Sequence, residues 1–206
     1  YDHLDLASLR KLPGDPLLLL PEGHLAWMKA KGFSKLTECA WGTSLPLSST
    51  LQAHAVPAQH FTARTPFDRD RGHWCGWVLE TGSQKIYLAG DTGYAPIFKE
   101  IGTQHGPFDL AILPIGAYAP RWAMHPVHVD PKEAVQIHLD VRSQLSLASH
   151  WGTFRLTDEP MDEPPVLLTA ACEAAGVHPD HFQVLPIGKT LTSREYRSSP
   201  LPESNS

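Results

Sequence analysis

Several features that would settle the class of this chain at once are missing from it. The longest apolar run, Leu17 to Leu20, falls far short of the ~20 residues that span a bilayer. No basic segment followed by an apolar stretch and small residues opens the chain, so no secretion signal is visible from Tyr1 onward. Positive charge is in short supply: 17 basic against 22 acidic side chains leave a net charge of -5, with no footprint for nucleic acid. Cysteine is scarce too. Cys39, Cys75 and Cys172 form no C-x-x-C pair, and their odd number argues against a disulfide framework and for a reducing compartment. A Gly-x-Ser-x-Gly elbow is absent, which removes the serine hydrolases built on that turn.

What is present is a globular composition, 42% hydrophobic and 19% charged, over 206 residues, enough for one domain with its own core. The count that stands out is histidine, at 12. Imidazole is the commonest metal ligand and a frequent acid–base group, so the placement of these residues matters most.

Short apolar runs alternate with helical stretches, the pattern of an α/β protein. Asp15 to Pro21 reads as a buried strand bounded by turn formers, and Leu25 to Gly32 as a helix stopped by Gly32. Trp74 to Glu80 and Lys85 to Ala89 flank Thr-Gly-Ser-Gln, a hairpin signal. Phe108 to Ile115, Ser146 to Ser149 and Phe182 to Ile187 read as further strands. Asp130-Pro131-Lys132-Glu133 is a helix start, with a capping Asp, Pro at the first position and Glu at the third. Pro165 to Ala175 predicts a helix ended by Gly176. The segment from Ser198 is polar and Pro-rich and predicts disorder, so one domain is expected over 1–195 and a tail over 196–206.

Four polar signals share one placement, at or just after the carboxyl end of an apolar segment. They are Asp2-His3, His60 in Pro-Ala-Gln-His, Asp91 in Ala-Gly-Asp-Thr-Gly, and His150 in Ser-His-Trp-Gly-Thr. In layered α/β folds such loops converge on one rim. Alone, each has an ordinary reading: a loop histidine is commonly solvated, and Asp in Gly-Asp-Thr-Gly is a common turn residue. Gathered together, three imidazoles and two carboxylates form a nitrogen–oxygen set that suits zinc, with manganese or iron as alternatives. His24, His54, His73, His105, His178 and His181 show no such pattern and read as surface or packing residues.

These segments also carry a family resemblance. Tyr1-Asp2-His3 resembles the end of the motif His-x-His-x-Asp-His, its two leading histidines falling ahead of Tyr1. Pro57-Ala-Gln-His60, Leu88-Ala-Gly-Asp91-Thr-Gly-Tyr94, Pro114-Ile-Gly-Ala-Tyr118-x-Pro-Arg-Trp122, His128-Val-Asp-Pro131 and His150-Trp-Gly-Thr-Phe154 follow in order. Together they are similar to the metallo-β-lactamase superfamily, in its N-acylphosphatidylethanolamine-hydrolysing phospholipase D branch. The resemblance implies the carboxyl-terminal portion of an αββα sandwich and a centre of two zinc ions. It places Asp2, His3 and His150 on one zinc, His60 on the other, and Asp91 between them. Tyr1 and His128 match positions near the headgroup and scissile phosphate, with His128 a catalytic donor or, equally, a packing neighbour of the helix at Pro131.

The activity so implied is release of N-acylethanolamine and phosphatidic acid; a lactonase of the same fold, or an inactive fragment, is the alternative. A phospholipid or small-molecule substrate is expected, in a cytoplasmic protein. Peripheral membrane contact and a homodimer are left open. Arg121-Trp122 suits phosphate gripping and a membrane interface, or an Arg stacked on a Trp within the fold. With much of a first sheet expected ahead of Tyr1, one inner sheet face is expected to lack cover and the chain alone to be poorly stable.

Overall fold

The computed structural model describes residues 3–192. The expectations for Tyr1, Asp2 and the 196–206 tail therefore lie outside the described residues. A short helix α1 (Leu6–Leu9) precedes β1 (Leu18–Pro21), α2 (Leu25–Ala30) and β2 (Leu36–Cys39). β1 and β2 pair in parallel as a small separate sheet. The expected strand at Asp15 is thus shorter and less buried than its composition suggests. Asp15 takes a left-handed turn (φ 47°), Leu17 is exposed, and Leu20 is the buried member.

The second sheet has seven strands in chain order: β3 (Ser44–Pro46), β4 (Leu51–Val56), β5 (Gly76–Thr81), β6 (Lys85–Leu88), β7 (Phe108–Pro114), β8 (Ser143–Ser149) and β9 (Phe182–Gln183). β3 to β6 pair antiparallel, and β6 to β9 pair in parallel. β5 and β6 form the hairpin read from Thr-Gly-Ser-Gln, with Glu80 opposite Lys85. Two reversals leave β4 pointing the same way as β6, β7 and β8. Their carboxyl ends therefore reach one edge of the sheet, and that edge carries the site.

Helices α3 (Ile97–Gln104), α4 (Arg121–Met124), α5 (Pro131–Asp140) and α6 (Glu163–Ala175) complete the fold. α5 starts where the sequence signals it. Asp130 accepts from the Glu133 amide at 2.8 Å, and Glu133 returns the contact to the Asp130 amide at 3.2 Å. Gly176 ends α6 in the left-handed conformation (φ 69°). One sheet face packs Val78, Tyr87 and Ala111 against Phe98 and Ile101 of α3 and Ala134, Val135 and Ile137 of α5. On the opposite face Trp77, Leu79, Ile86, Leu88, Leu110, Ile112 and Leu147 stay half-buried. The last expected strand is cut to two residues, which pair only with Ser146 and Leu147 of β8.

His138 is a core group, 4% exposed, whose Nδ1 meets Ser146 Oγ at 2.8 Å. Burial, and secondarily the nearby His181, pushes its pKa down to about 4. In the unfolded chain it would titrate near the ordinary value of 6.5. Its contribution to stability is therefore complete above pH 6.5 and is lost as pH falls toward 4. The loss is on the order of 3 kcal/mol across that window. Urea unfolding at pH 7 and pH 4 should show His138→Gln losing clearly less stability than the parent; equal losses would remove His138 from the account.

Candidate metal centre

Five of the site residues read from the sequence come together at the carboxyl edge of the sheet. Their ligand atoms form two groups, His3–Asp91–His150 and His60–Asp91–His128, each with all atoms within 4.8 Å of one another and sharing Asp91. His60 follows β4, Asp91 follows β6, and His150 follows β8 directly. His128 comes from the loop between α4 and the cap of α5. It is the member that the resemblance had placed toward the substrate and not among the ligands.

Asp91 is the hub. Its Oδ2 lies 2.8 Å from His3 Nε2 and 3.3 Å from His150 Nε2. Burial alone would raise its pKa, but the hydrogen bonds from His150 and His3 outweigh that and hold it well below the usual carboxylate range. The hydrogen bond to Asp91 raises His150, with burial opposing. His128 is pushed down to about 4 by burial, against the attraction of Asp91 and with His60, His150 and His3 adding to the fall. The ionised Asp91 carboxylate and the neutral His128 imidazole are in the protonation states that a neighbouring cation favours, while the hydrogen bond to Asp91 draws His150 toward its charged form.

The imidazole rings form a continuous set. His3 stacks on His150 at 5.6 Å between centroids, His150 on His128 at 5.4 Å, and His60 meets His128 edge-on at 5.3 Å. Among the described residues, His60 Nε2, His128 Nδ1 and His150 Nδ1 are buried without a hydrogen-bond partner. Buried nitrogens left unmatched are costly, and those of His60 and His128, in one cluster beside a carboxylate, suit a bound cation or polar group, while His150 meets Asp91 through Nε2. His60 is oriented by its other nitrogen, which faces the Phe61 carbonyl at 2.9 Å. His150 itself sits at φ 57°, a left-handed conformation that costs a non-glycine residue on the order of 1–2 kcal/mol. Strain of that kind gathers at functional sites.

Arg121 departs from both sequence readings. Its guanidinium donates to the His128 carbonyl at 2.8 Å and pairs with Glu133 at 2.8 Å and Asp130 at 3.7 Å. A phosphate would have to compete with two carboxylates for it, while Trp122 is 87% exposed. The histidines read as ordinary do have other duties. His24 Nε2 faces the His73 carbonyl, and His54 lies between Ser44 and Glu80.

Sheet order, strand-end placement and a histidine–aspartate cluster together define a protein of the metallo-β-lactamase fold. Residues 1–151 match the family described as the β-lactamase superfamily domain, and the chain belongs to that superfamily. It is 37% identical over 187 residues to N-acyl-phosphatidylethanolamine-hydrolyzing phospholipase D 1 of Caenorhabditis elegans, across 82% of this chain and 52% of the nematode protein. It is 34% identical over 197 residues to the mitochondrial N-acyl-phosphatidylethanolamine-hydrolyzing phospholipase D of Saccharomyces cerevisiae, across 92% of this chain and 42% of the yeast protein. The chain spans about half the length of these curated relatives. A metallo hydrolase of the archaeon Ignicoccus hospitalis superposes with a TM-score of 0.66 at 23% identity, over 84% of this chain and 66% of that one. At that identity the likeness speaks for the fold alone. Among the described residues no helix is long and apolar enough to cross a membrane.

Proposed function

We propose that the protein is a metal-dependent phosphodiesterase of the phospholipase D type that cuts N-acylphosphatidylethanolamine. The observation that carries this reading is the gathering of His3, His60, His128 and His150 around Asp91 in two ligand groups that share it. The names of the nematode and yeast relatives support the choice of substrate. His3, Asp91 and His150, with Asp2, would hold one zinc, and His60 and Asp91 would contribute to a second. Such ions, when bound, activate water and offset charge on the phosphoryl oxygens.

The reaction is a hydrolysis. A water oxygen bonds to phosphorus, and the bond from phosphorus to the ethanolamine oxygen breaks. That oxygen takes a proton and leaves as N-acylethanolamine; phosphatidic acid remains. His128 is the residue assigned to the phosphoryl group. Burial keeps its imidazole neutral, and a neutral imidazole still has one N–H to donate to a developing negative oxygen. Tyr1 is assigned to the headgroup. Phe154 and Leu156, 75% and 59% exposed, line a small cavity together with His150. Exposed apolar side chains beside the centre suit acyl chains presented at a membrane surface, so peripheral membrane contact belongs to the same proposal.

The complete gene product, incubated with vesicles containing N-acylphosphatidylethanolamine, should release N-acylethanolamine and phosphatidic acid in equal amounts by mass spectrometry. A lactone supplied in parallel should be turned over far more slowly. Rapid lactone opening with the lipid left intact would overturn the assignment in favour of a lactonase.

A further inference from the structure

Outside the metal centre, Glu159 is a carboxylate whose surroundings have been built with care. It is 9% exposed, and its two carboxylate oxygens accept four hydrogen bonds. Oε1 accepts from the Ala117 amide at 2.6 Å and the Tyr118 amide at 3.3 Å. Oε2 accepts from the Ala119 amide at 3.0 Å and from Thr157 Oγ1 at 2.7 Å. Three successive backbone N–H groups close on one anion where a left-handed residue curls the run, the arrangement called a nest. Ala117 does this at φ 66°, forming an anion nest with Glu159 as its occupant. Burial opposes the charge, and these donors outweigh it and lower the Glu159 pKa.

The clamp joins two loops that each deliver a histidine. One runs from β7 through Gly116 to Pro120 and into α4, where Arg121 grips the carbonyl of His128. The other runs from β8 through His150 to Glu159. The loops already touch at the centre. A Cβ on Gly116 would lie 2.3 Å from the His150 carbonyl oxygen, so only glycine fits there. The Asp158 amide returns a bond to the Ala119 carbonyl at 3.2 Å. Glu159 thus closes a frame with His150 at one corner and the Arg121–His128 contact at another, and the two rings stack between them, 16° from parallel.

We propose that Glu159 is a positioning residue that sets the spacing of His128 and His150 by holding these two loops in register. The inference deepens the metal-centre reading and rests on it. Glu159→Gln keeps the shape, removes the charge and turns an NH2 toward one set of donors. In the complete gene product it should weaken cobalt(II) binding about 10- to 100-fold, the usual effect of losing a partner that orients a ligand. It should also shift the cobalt visible bands, and lower kcat with KM changed less than about twofold. In the metal-free protein the ring NMR signals of His128 and His150 should move while those of His178 stay in place. Thr157→Val, which removes one donor and threatens folding less, should move the same signals in the same direction by a smaller amount. Unchanged histidine signals and cobalt bands in either folded variant, with only a lowered melting temperature, would reduce Glu159 to a brace and overturn the proposal. Because the metal-free signals need no substrate, failure of the phospholipase reading would leave this test intact.

Discussion

Asp91→Ala is expected to empty both metal positions at once. Wild-type protein should hold about two zinc ions per complete chain, and the variant should fall well below one. Asp91 is the one residue common to both ligand groups, and its Oδ2 is already within 3.3 Å of His150 and 2.8 Å of His3. Removal therefore takes away the shared negative charge and the carboxylate that His3 and His150 both meet. Loss of a partner that only orients a ligand costs about 10- to 100-fold in affinity or activity, so loss of the shared ligand itself should exceed about 100-fold in hydrolysis. Asp91→Asn is the sharper control. It preserves the volume and one acceptor oxygen but not the charge, and it should lose most of the metal with little change in circular dichroism. Metal content measured on the purified protein decides the matter: two ions retained with full activity would remove Asp91 from the centre.

The parts of this arrangement that are legible in the sequence are the local ones. Ala-Gly-Asp-Thr-Gly and Ser-His-Trp-Gly-Thr follow apolar runs, so a strand followed by a functional loop can be read from a dozen residues. The Asp130–Glu133 capping box is likewise written within four positions and is found intact. Other elements resist such reading. α3 begins after Pro96 with no side-chain cap, so nothing local announces it. β8 starts at Ser143, three residues before its expected start, because Phe108 of β7 offers a partner there and not because of local composition. Glu159 looks like an acid in a surface loop until Ala117, 42 residues away, is brought to it. Arg121 looks free to meet a phosphate until α5 presents Asp130 and Glu133. In each case the deciding contact is tertiary, and neither pattern nor propensity within a window carries it.

His128→Asn separates the two duties that geometry allows for that residue. As a donor to the phosphoryl group, His128 can be removed with the ions still held, and kcat should drop about 100- to 10,000-fold, the span of a positioned acid–base or hydrogen-bonding group. Zinc content should stay near that of the parent. As a ligand, it would take its ion with it, and activity and metal would fall together. The first outcome is expected. His60, Asp91 and His150 follow the carboxyl ends of β4, β6 and β8, and His3 meets Asp91 at 2.8 Å. His128 instead sits on a separate loop, held by its amide on the Met124 carbonyl and by Arg121 on its own carbonyl oxygen. One of its ring nitrogens lies within 4.8 Å of an Asp91 oxygen, close enough to serve either part. Its lowered pKa favours neither, because both a ligand and a neutral hydrogen-bond donor need the uncharged ring. The measurement that separates them is zinc stoichiometry alongside kcat on one preparation, and a parallel fall of both would move His128 into the ligand set.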